Sequence, residues 1–156
     1  MEGVRPATAA DLPQVAALCR DAILEKAPAR GGTVFVAREA RAEPVEDSLS
    51  AAIDDAAQQV WVGTIDDVVV AYAVAGVEDL RTGDRLGVID DIYVEPGARG
   101  VGVGEALMGA ALEWLTDKGC TGVDAHALPG DRATKNFFEA SGFSARLLVM
   151  HHRIDR

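Results

Sequence analysis

Residues 86–115 read LGVIDDIYVEPGARGVGVGEALMGAALEWL, and this stretch decides the fold. Its apolar start predicts a β-strand, the four glycines between 97 and 104 predict a turn around Arg99, and its apolar end predicts a buried helix. Glycines at such a junction let the backbone approach a ligand closely and turn several N–H groups toward one point. Because a helix N-terminus adds free N–H groups and a positive dipole end, the stretch predicts a phosphate or pyrophosphate site.

The glycines do not fit the Walker phosphate loop. That motif requires Gly, four residues, and then Gly-Lys-Ser/Thr. Gly97 and Gly102 have the required separation, but Val103 and Gly104 stand where Lys and Ser/Thr belong. A Walker site is therefore excluded.

Two other interpretations of the glycines stay open at this point. A dinucleotide fingerprint would place its third glycine at Glu105, although Asp124 lies at about the right distance to bind a ribose. A tight turn without any ligand is the second alternative. Four glycines and an arginine are more than a plain connection requires, so a ligand site is favoured.

Three motifs in order resemble the GNAT-type N-acetyltransferases. Residues 99–104, RGVGVG, match the acetyl-CoA signature of that family, Arg/Gln-x-x-Gly-x-Gly/Ala. Residues 90–96, DDIYVEP, resemble the strand that precedes it. Residues 131–143, DRATKNFFEASGF, resemble a later motif, N-x-x-A-x-x-F-Y-x-x-x-G-F. The resemblance spans nearly the whole chain.

The resemblance implies an α+β fold of the GNAT type. A central, mostly antiparallel sheet of six to seven strands would carry about four helices on its two faces, in one N-acetyltransferase domain spanning residues 1–156. The sequence agrees with an antiparallel meander, because residues 60–65 and 68–77 predict a hairpin around Asp66-Asp67 before the strand at residues 86–95. Residues 121–128 and 143–154 predict the last two strands, and residues 34–42 are partly strand-like and partly a charged loop.

The resemblance also implies where acetyl-CoA binds. The backbone around Ile92 to Val94 would hold the pantetheine arm and the thioester carbonyl, which requires a bulge or a splayed strand near Val94. Phe137 is predicted to be in the core and Phe138 to pack near the cofactor. The residues expected to bind the cofactor are Ile92, Tyr93, Val94, Arg99, Gly100, Val101, Gly102, Val103, Gly104, Asp131 and Phe138.

Asp90 and Asp91 are the candidate general bases. In the family a carboxylate on this strand often deprotonates the amine, commonly through water. Strand alternation sends neighbouring side chains to opposite faces, so only one of the two acids addresses a given cleft unless a bulge intervenes. By its position in the motif Asp90 is the first choice, with Asp91 a nearly equal alternative. Two acids in an apolar strand favour a function over ordinary placement at a sheet margin.

The general acid departs from the family pattern. The Tyr that often protonates the leaving thiolate is Phe138 here, which has no proton to donate. Tyr93 and Tyr72 are possible substitutes, or the reaction proceeds without a side-chain acid. The motif's Asn is replaced by Asp131, whose charge is less favourable near phosphates.

Composition limits the function classes. The 156 residues carry a net charge of −10, which argues against nucleic acid and is compatible with a cationic amine. No apolar run reaches membrane-spanning length, so we expect no membrane contact. Cys19 and Cys120 form no metal or redox motif and fit a reducing cytoplasm. His126 is either a second base or, more simply, a structural histidine.

The resemblance implies an acetyl-CoA-dependent N-acetyltransferase that acts on a small-molecule or peptide amine by direct attack in a ternary complex. Asp90 or Asp91 would assist deprotonation, with Tyr93 as a further catalytic candidate. A homodimer is expected from the resemblance. The alternative is a non-catalytic, acyl-CoA-binding sensor or regulatory subunit of the same fold, which Phe138 supports.

Overall fold

The computed structural model describes residues 1–155, in which five strands and five α-helices alternate unevenly. The chain begins with β1 (Glu2–Pro6) and three helices, and it continues through three consecutive strands. The later helices flank the last strand. In chain order the remaining elements are α1 (Leu12–Lys26), α2 (Gly32–Arg38), α3 (Val45–Asp54), β2 (Gln58–Ile65), β3 (Val68–Asp79), β4 (Arg85–Val94), α4 (Val103–Asp117), β5 (Cys120–Ala125) and α5 (Arg132–Ala140).

The strands form one sheet in the order β1-β2-β3-β4-β5. The first four strands pair antiparallel, as the sequence predicts, and β5 pairs parallel to β4. Asp66 and Asp67 join β2 to β3 with φ angles of 49° and 67°. Two left-handed residues in a row suit the two-residue turns whose twist matches a hairpin.

Each face of the sheet packs against its own helices, because side chains alternate along every strand. Val62, Tyr72 and Val74 belong to a buried cluster with α1 and α3. Ala71 and Ala73, with their neighbours on the opposite face, belong to a second cluster with α4. The small alanines on that face allow α4 to lie close to the sheet. The predicted α+β class with helices on both faces is confirmed.

Two irregularities in β4 shape the site. Asp91 lies opposite Val74 of β3 and Ile89 lies opposite Ala75, so Asp90 is an extra residue in β4, a β-bulge. On its other side, β4 pairs with β5 only from Arg85 to Ile89. β5 ends at Ala125, the partner of Ile89, so β4 has no strand partner on that side beyond Ile89, a stretch that includes the predicted opening near Val94.

The structure differs from the prediction in three local respects. The described sheet has five strands and not six or seven, because residues 143–154 form no strand within residues 1–155. Residues 34–42, predicted as partly strand-like, contain most of α2. The strand predicted over residues 121–128 ends at Ala125. Among the described residues, no helix has the length and apolar character needed to cross a membrane.

Candidate functional site

The N-terminus of α4 presents a row of open backbone amides. Gly100 and Gly102 have φ angles of 85° and 93°, a conformation that other residues adopt only with strain, and Gly102 is the N-cap of α4. Within residues 1–155, the N–H groups of residues 100–105 donate no hydrogen bond to a turn, loop or side chain, and no side chain caps the helix. These amides and the positive end of the helix dipole fit an anion such as a pyrophosphate.

Arg99, at the entrance to this turn, is held by three contacts. Its Nη1 and Nη2 donate to the two carboxylate oxygens of Glu25 at 3.0 and 2.8 Å, and its Nε donates to the Val94 carbonyl at 2.8 Å. The guanidinium also lies over the Tyr93 ring, 5.4 Å from its centroid. A carboxylate therefore occupies the part of Arg99 that would face a phosphate.

A groove runs from this turn along β4 toward α5. It lies beyond Ile89, where β5 has ended, so the backbone of its floor is not covered by β5. The predicted cofactor-binding residues that line it are Ile92, Tyr93, Val94, Arg99, Gly100, Val103, Gly104 and Asp131. Val101 and Gly102 belong to the same turn but do not line the groove, and Val101 is exposed.

The two phenylalanines of α5 have the reverse of the predicted arrangement. Phe138 is buried and packs against Phe143, with ring centroids 5.5 Å apart, and it does not line the groove. Phe137 lines the groove and lies within 3.4 Å of the position that a Cβ on Gly104 would take. Because adjacent residues of a helix point to different faces, Phe137 and Phe138 lie on different faces of α5, and Phe137 is the one that faces the groove.

Asp131 has a structural role that explains the acid at this position. It is the N-cap of α5, and its carboxylate accepts hydrogen bonds from the Thr134 backbone N–H at 3.1 Å and the Thr134 hydroxyl at 2.6 Å. Asp is among the strongest N-cap residues. Asp131 and Thr134, which stand where the family motif has Asn and Ala, are thus bonded to each other.

The bulge brings Asp90 and Asp91 to the same side of β4, although alternation alone predicts opposite faces. The Tyr72 hydroxyl donates to Asp91 Oδ2 at 2.7 Å. Asp90 Oδ2 lies 3.7 Å from the position that a Cβ on Gly76 would take, and Gly76 follows Val74 on that same face. The two carboxylates are therefore neighbours.

The environments of the two acids differ sharply. Asp91 is largely buried and forms a bidentate ion pair with Arg41, in which the Nε–Oδ2 and Nη2–Oδ1 distances are both 3.0 Å. It also accepts the hydrogen bond from Tyr72. Asp90 is exposed to solvent and has no ion-pair partner within the described residues. Asp91 is thus held in place by three hydrogen bonds, whereas Asp90 has no ion-pair partner among the described residues.

The surroundings of Asp90 favour its protonated form. Although the residue is exposed, nearby protein atoms reduce the hydration of its carboxylate, and the negative charge of Asp91 acts in the same direction. Together they raise the pKa of Asp90 above its ordinary value, while Arg41 and His126 oppose the shift. An acid with a raised pKa in a partly open position is typical of proton-transfer sites.

The two tyrosines are cross-strand partners, and both are buried in the cluster under α1 and α3. The Tyr72 hydroxyl is committed to Asp91. Tyr93 lines the groove, and reduced hydration together with the charge of Glu25 raises its pKa above the ordinary value. Tyr93 therefore keeps its proton beside the groove, whereas Tyr72 does not reach it.

The residues that sequence reasoning missed come from distant parts of the chain. Glu25 and Lys26 lie at the end of α1 and line the groove, and Arg41 lies between α2 and α3. Glu25 meets Arg99 across 74 residues and Arg41 meets Asp91 across 50 residues. No local pattern predicts such pairs, because each partner is an ordinary charged residue in its own segment.

Asp124 and the three histidines are the remaining candidates from the sequence. Asp124, the possible ribose-binding acid, lies on β5 in an ion pair with Arg146, which lowers its pKa. The single parallel pair of strands also speaks against a dinucleotide fold. His126, His151 and His152 are exposed, and residues 1–155 contain no group of acids, cysteines and histidines arranged to hold a metal.

Comparisons with known proteins agree with this geometry. The model of the acetyltransferase (GNAT) family matches residues 21–143. No curated protein sequence matches the chain significantly. The family uses acetyl-CoA, and the open amides at residues 100–105 fit its diphosphate.

Solved structures share the fold at low sequence identity. The tetramutant of the BH1408 protein from Bacillus halodurans is 21% identical with a TM-score of 0.84, covering 97% of this chain and 99% of that one. A GCN5-related N-acetyltransferase from Ralstonia eutropha JMP134 is 22% identical with a TM-score of 0.76, covering 98% and 99%. AAC(6')-Iy, in complex with the bisubstrate analog CoA-S-monomethyl-acetylneamine, is 17% identical with a TM-score of 0.76, covering 100% and 99%. The chain belongs to the GNAT acetyltransferase family.

Proposed function

We propose that this protein is an acetyl-CoA-dependent N-acetyltransferase that acetylates a primary amine, on a small molecule or a peptide, by direct attack in a ternary complex. The observation that carries the proposal is the set of open amides at residues 100–105, at the mouth of a groove along the uncovered part of β4. Family membership and the CoA-linked analog bound by AAC(6')-Iy support it.

In this proposal the amides of residues 100–105 and the side chain of Arg99 bind the pyrophosphate. The backbone of Ile92 to Val94 holds the pantetheine arm and the thioester carbonyl, since that stretch of β4 has no partner in β5. Phe137, and not Phe138, packs against the cofactor, because it lines the groove beside Gly104.

Asp90 is the proposed general base. It lies two residues before Ile92, and thus roughly 7 Å farther from the amide turn at the usual rise of a strand. Asp90 itself does not line the groove, and it lies on the side of Ile92 that is farther from the amide turn. Asp90 accepts through a water molecule the proton that the amine loses, while Asp91 remains paired with Arg41.

Tyr93 is the proposed general acid. It borders the groove and keeps its proton, because its pKa is raised. It would donate that proton to the thiolate as the carbon–sulfur bond breaks. Tyr93→Phe is expected to lower the turnover number while leaving the affinity for coenzyme A nearly unchanged, and a loss of affinity without a loss of turnover would exclude this role.

Three further properties belong to the proposal. The chain acts as one N-acetyltransferase domain, it works as a homodimer, and it resides in the cytoplasm. The free thiols of Cys19 and Cys120 support a reducing compartment. The exposed apolar segment after α5 supports self-association.

The alternative is an acyl-CoA-binding sensor without turnover; its support is the sequence, which has Phe138 where the family motif has Tyr, although Phe138 does not line the groove. Thiol release measured against a panel of polyamines, aminoglycosides and peptides separates the two functions. We expect amine-dependent release that Asp90→Asn reduces at least 100-fold, the lower range for loss of a general base. Tight coenzyme A binding without release on any amine would favour the sensor.

A further inference from the structure

A second groove lies on the face of the sheet that carries α4. It runs between β1 and the C-terminal half of α4, and its volume is about 320 Å³. Sites for small molecules have volumes of about 300–1,000 Å³, so the groove is large enough for a compact ligand. It shares no lining residue with the groove along β4, and the proposed chemistry makes no use of it.

Two tryptophans form the aromatic wall of this second groove. The rings of Trp61 on β2 and Trp114 on α4 meet edge to face, with centroids 5.8 Å apart and an angle of 84° between their planes. Trp61 is only 5% exposed, whereas Trp114 is half-buried and keeps part of its ring in the groove. Among side chains, the tryptophan ring is the aromatic surface that attracts a cation most strongly.

The protein itself places one cation on this ring. Lys118 Nζ lies 5.3 Å from the centroid of Trp114. This separation is within the roughly 6 Å at which a cation is attracted to an aromatic face. Because Lys118 does not line the groove, it leaves the groove side of Trp114 open.

The charges at the rim of the groove favour a positive ligand. Glu113 and Asp117 are exposed and lie four residues apart, one turn of α4. Within residues 1–155, neither carboxylate forms an ion pair. Arg5 also lines the groove, but its guanidinium donates to both carboxylate oxygens of Asp11 at 2.8 and 2.9 Å. The charges left for a ligand are therefore those of the two acids.

The neighbouring strand edge favours a small molecule over an extended peptide. β1 is the first strand in the sheet order and pairs on one side only, with β2. Pro6 ends this strand and borders the groove, and a proline has no N–H with which to pair a further strand. Recognition at the groove therefore depends on side chains.

We propose that this groove binds a small organic cation with an apolar body, such as a quaternary ammonium or guanidinium compound. The charged group would lie between the ring of Trp114 and the carboxylates of Glu113 and Asp117, and the apolar body would lie against Trp61. A weakly hydrated cation suits such a site, because it loses little solvation when it moves onto an aromatic face. The inference depends neither on acetyl transfer nor on coenzyme A binding.

Tryptophan fluorescence tests the site directly, because Trp61 and Trp114 are the two tryptophans of the chain. The probes are choline and n-butylguanidinium at constant ionic strength. Their uncharged counterparts of similar shape are 3,3-dimethylbutan-1-ol and n-butylurea. We expect a saturable change with at least one cation, and its uncharged counterpart should bind at least about 10-fold more weakly.

A pair of double variants locates the binding site. Glu113→Gln/Asp117→Asn should weaken binding of the cation at least about 10-fold, because it removes the attracting charge and keeps the shape of both side chains. Asp47→Asn/Asp54→Asn removes the same charge from exposed positions on α3, which packs on the other face of the sheet. This control should bind the cation as tightly as the unchanged protein.

Three outcomes would overturn the proposal. The first is the lack of a saturable change with either cation. The second is equal binding of a cation and its uncharged counterpart, which would mean that the groove recognises apolar shape alone. The third is full affinity in Glu113→Gln/Asp117→Asn, which would place the cation elsewhere. Coenzyme A binding is measured separately, and its loss would bear on the proposed function only.

Discussion

Arg41 and Asp91 form a fork-shaped ion pair that fixes one of two adjacent acids and leaves the other free. Both nitrogen–oxygen distances are 3.0 Å, both side chains are largely buried, and Arg41 also donates to the Ser48 hydroxyl at 2.6 Å. The bulge at Asp90 lies immediately beside this pair. The ion pair therefore holds the backbone from which Asp90 projects.

Asp90→Asn and Asp91→Asn should separate activity from stability. The fold raises the pKa of Asp90, so above its ordinary pKa the ionised carboxylate disfavours folding, and a neutral amide removes that effect. Asp90→Asn should thus lose at least about 100-fold in turnover at neutral pH without a lower melting temperature. Asp91→Asn should lower the free energy of unfolding by about 3 kcal/mol, because it leaves Arg41 buried and unpaired. Denaturant unfolding and initial rates check both variants, and a stable but inactive Asp91→Asn would reverse the assignment.

Substitutions of Arg41 and of Asp91 should move the acidic limb of the kcat/KM pH profile in opposite directions. Burial raises the pKa of Asp90 and the charge of Asp91 raises it further, while Arg41 lowers it; His126 lowers it and Glu78 raises it by smaller amounts. Arg41→Met should move the acidic limb of kcat/KM to higher pH, and Asp91→Asn should move it to lower pH. Loss of packing alone would reduce the rate at all pH values without moving the limb. Parallel shifts in the two variants would disprove the electrostatic link to Asp90.

Gly102→Val and Gly83→Val form a matched pair for the amide turn. Both glycines have φ near +90°, and an added Cβ meets nothing closer than 3.7 Å at either position. The backbone strain, about 1–2 kcal/mol, should be similar in the two variants. Only Gly102→Val should lose affinity for coenzyme A, by at least about 10-fold, since Gly83 lies in the remote turn between β3 and β4. Calorimetry checks this, and equal affinities would show that the turn does not bind the cofactor.

Glu25→Gln should tighten coenzyme A binding. In the free protein the Glu25 carboxylate accepts two hydrogen bonds from the guanidinium of Arg99. Arg99 lowers the pKa of Glu25, so the acid stays ionised at neutral pH. A phosphate must displace the Glu25 carboxylate from Arg99, and a neutral amide at residue 25 would compete less strongly for the guanidinium. We expect a several-fold lower Kd for Glu25→Gln and a higher Kd for Arg99→Gln. A weaker Kd in Glu25→Gln would mean that Glu25 supports the cofactor.

Local sequence patterns predicted the strands, turns and helix whose form depends on residues close together in the sequence. The hairpin around Asp66-Asp67, the strand before the glycines and the apolar helix after them were all predicted from spacing and turn residues. Each depends on a period or a turn conformation that a few neighbouring residues determine. The final strand was predicted from the same kind of pattern but does not form in the single chain, because a strand also needs a partner.

The candidate site was predicted only in part, for the same reason. Glycine spacing identifies the amide turn, but the distinction between Asp90 and Asp91 depends on a bulge and on Arg41, which lies 50 residues away from Asp91. Likewise, Phe137 and Phe138 exchange their predicted positions because the direction of α5 is set by the cap at Asp131 and by packing on Phe143. The Arg41–Asp91 pair is a tertiary contact that no local pattern encodes, whereas the cap and the Phe143 contact of α5 involve residues close together in the sequence.

The central claim is that the backbone amides of residues 100–105 hold the diphosphate of coenzyme A. A crystal structure of the protein with coenzyme A tests it most directly. We predict that at least three of these amide nitrogens lie within about 3.2 Å of diphosphate oxygens, the upper range for an N–H···O bond. A cofactor bound elsewhere, with these amides facing solvent, would contradict the account.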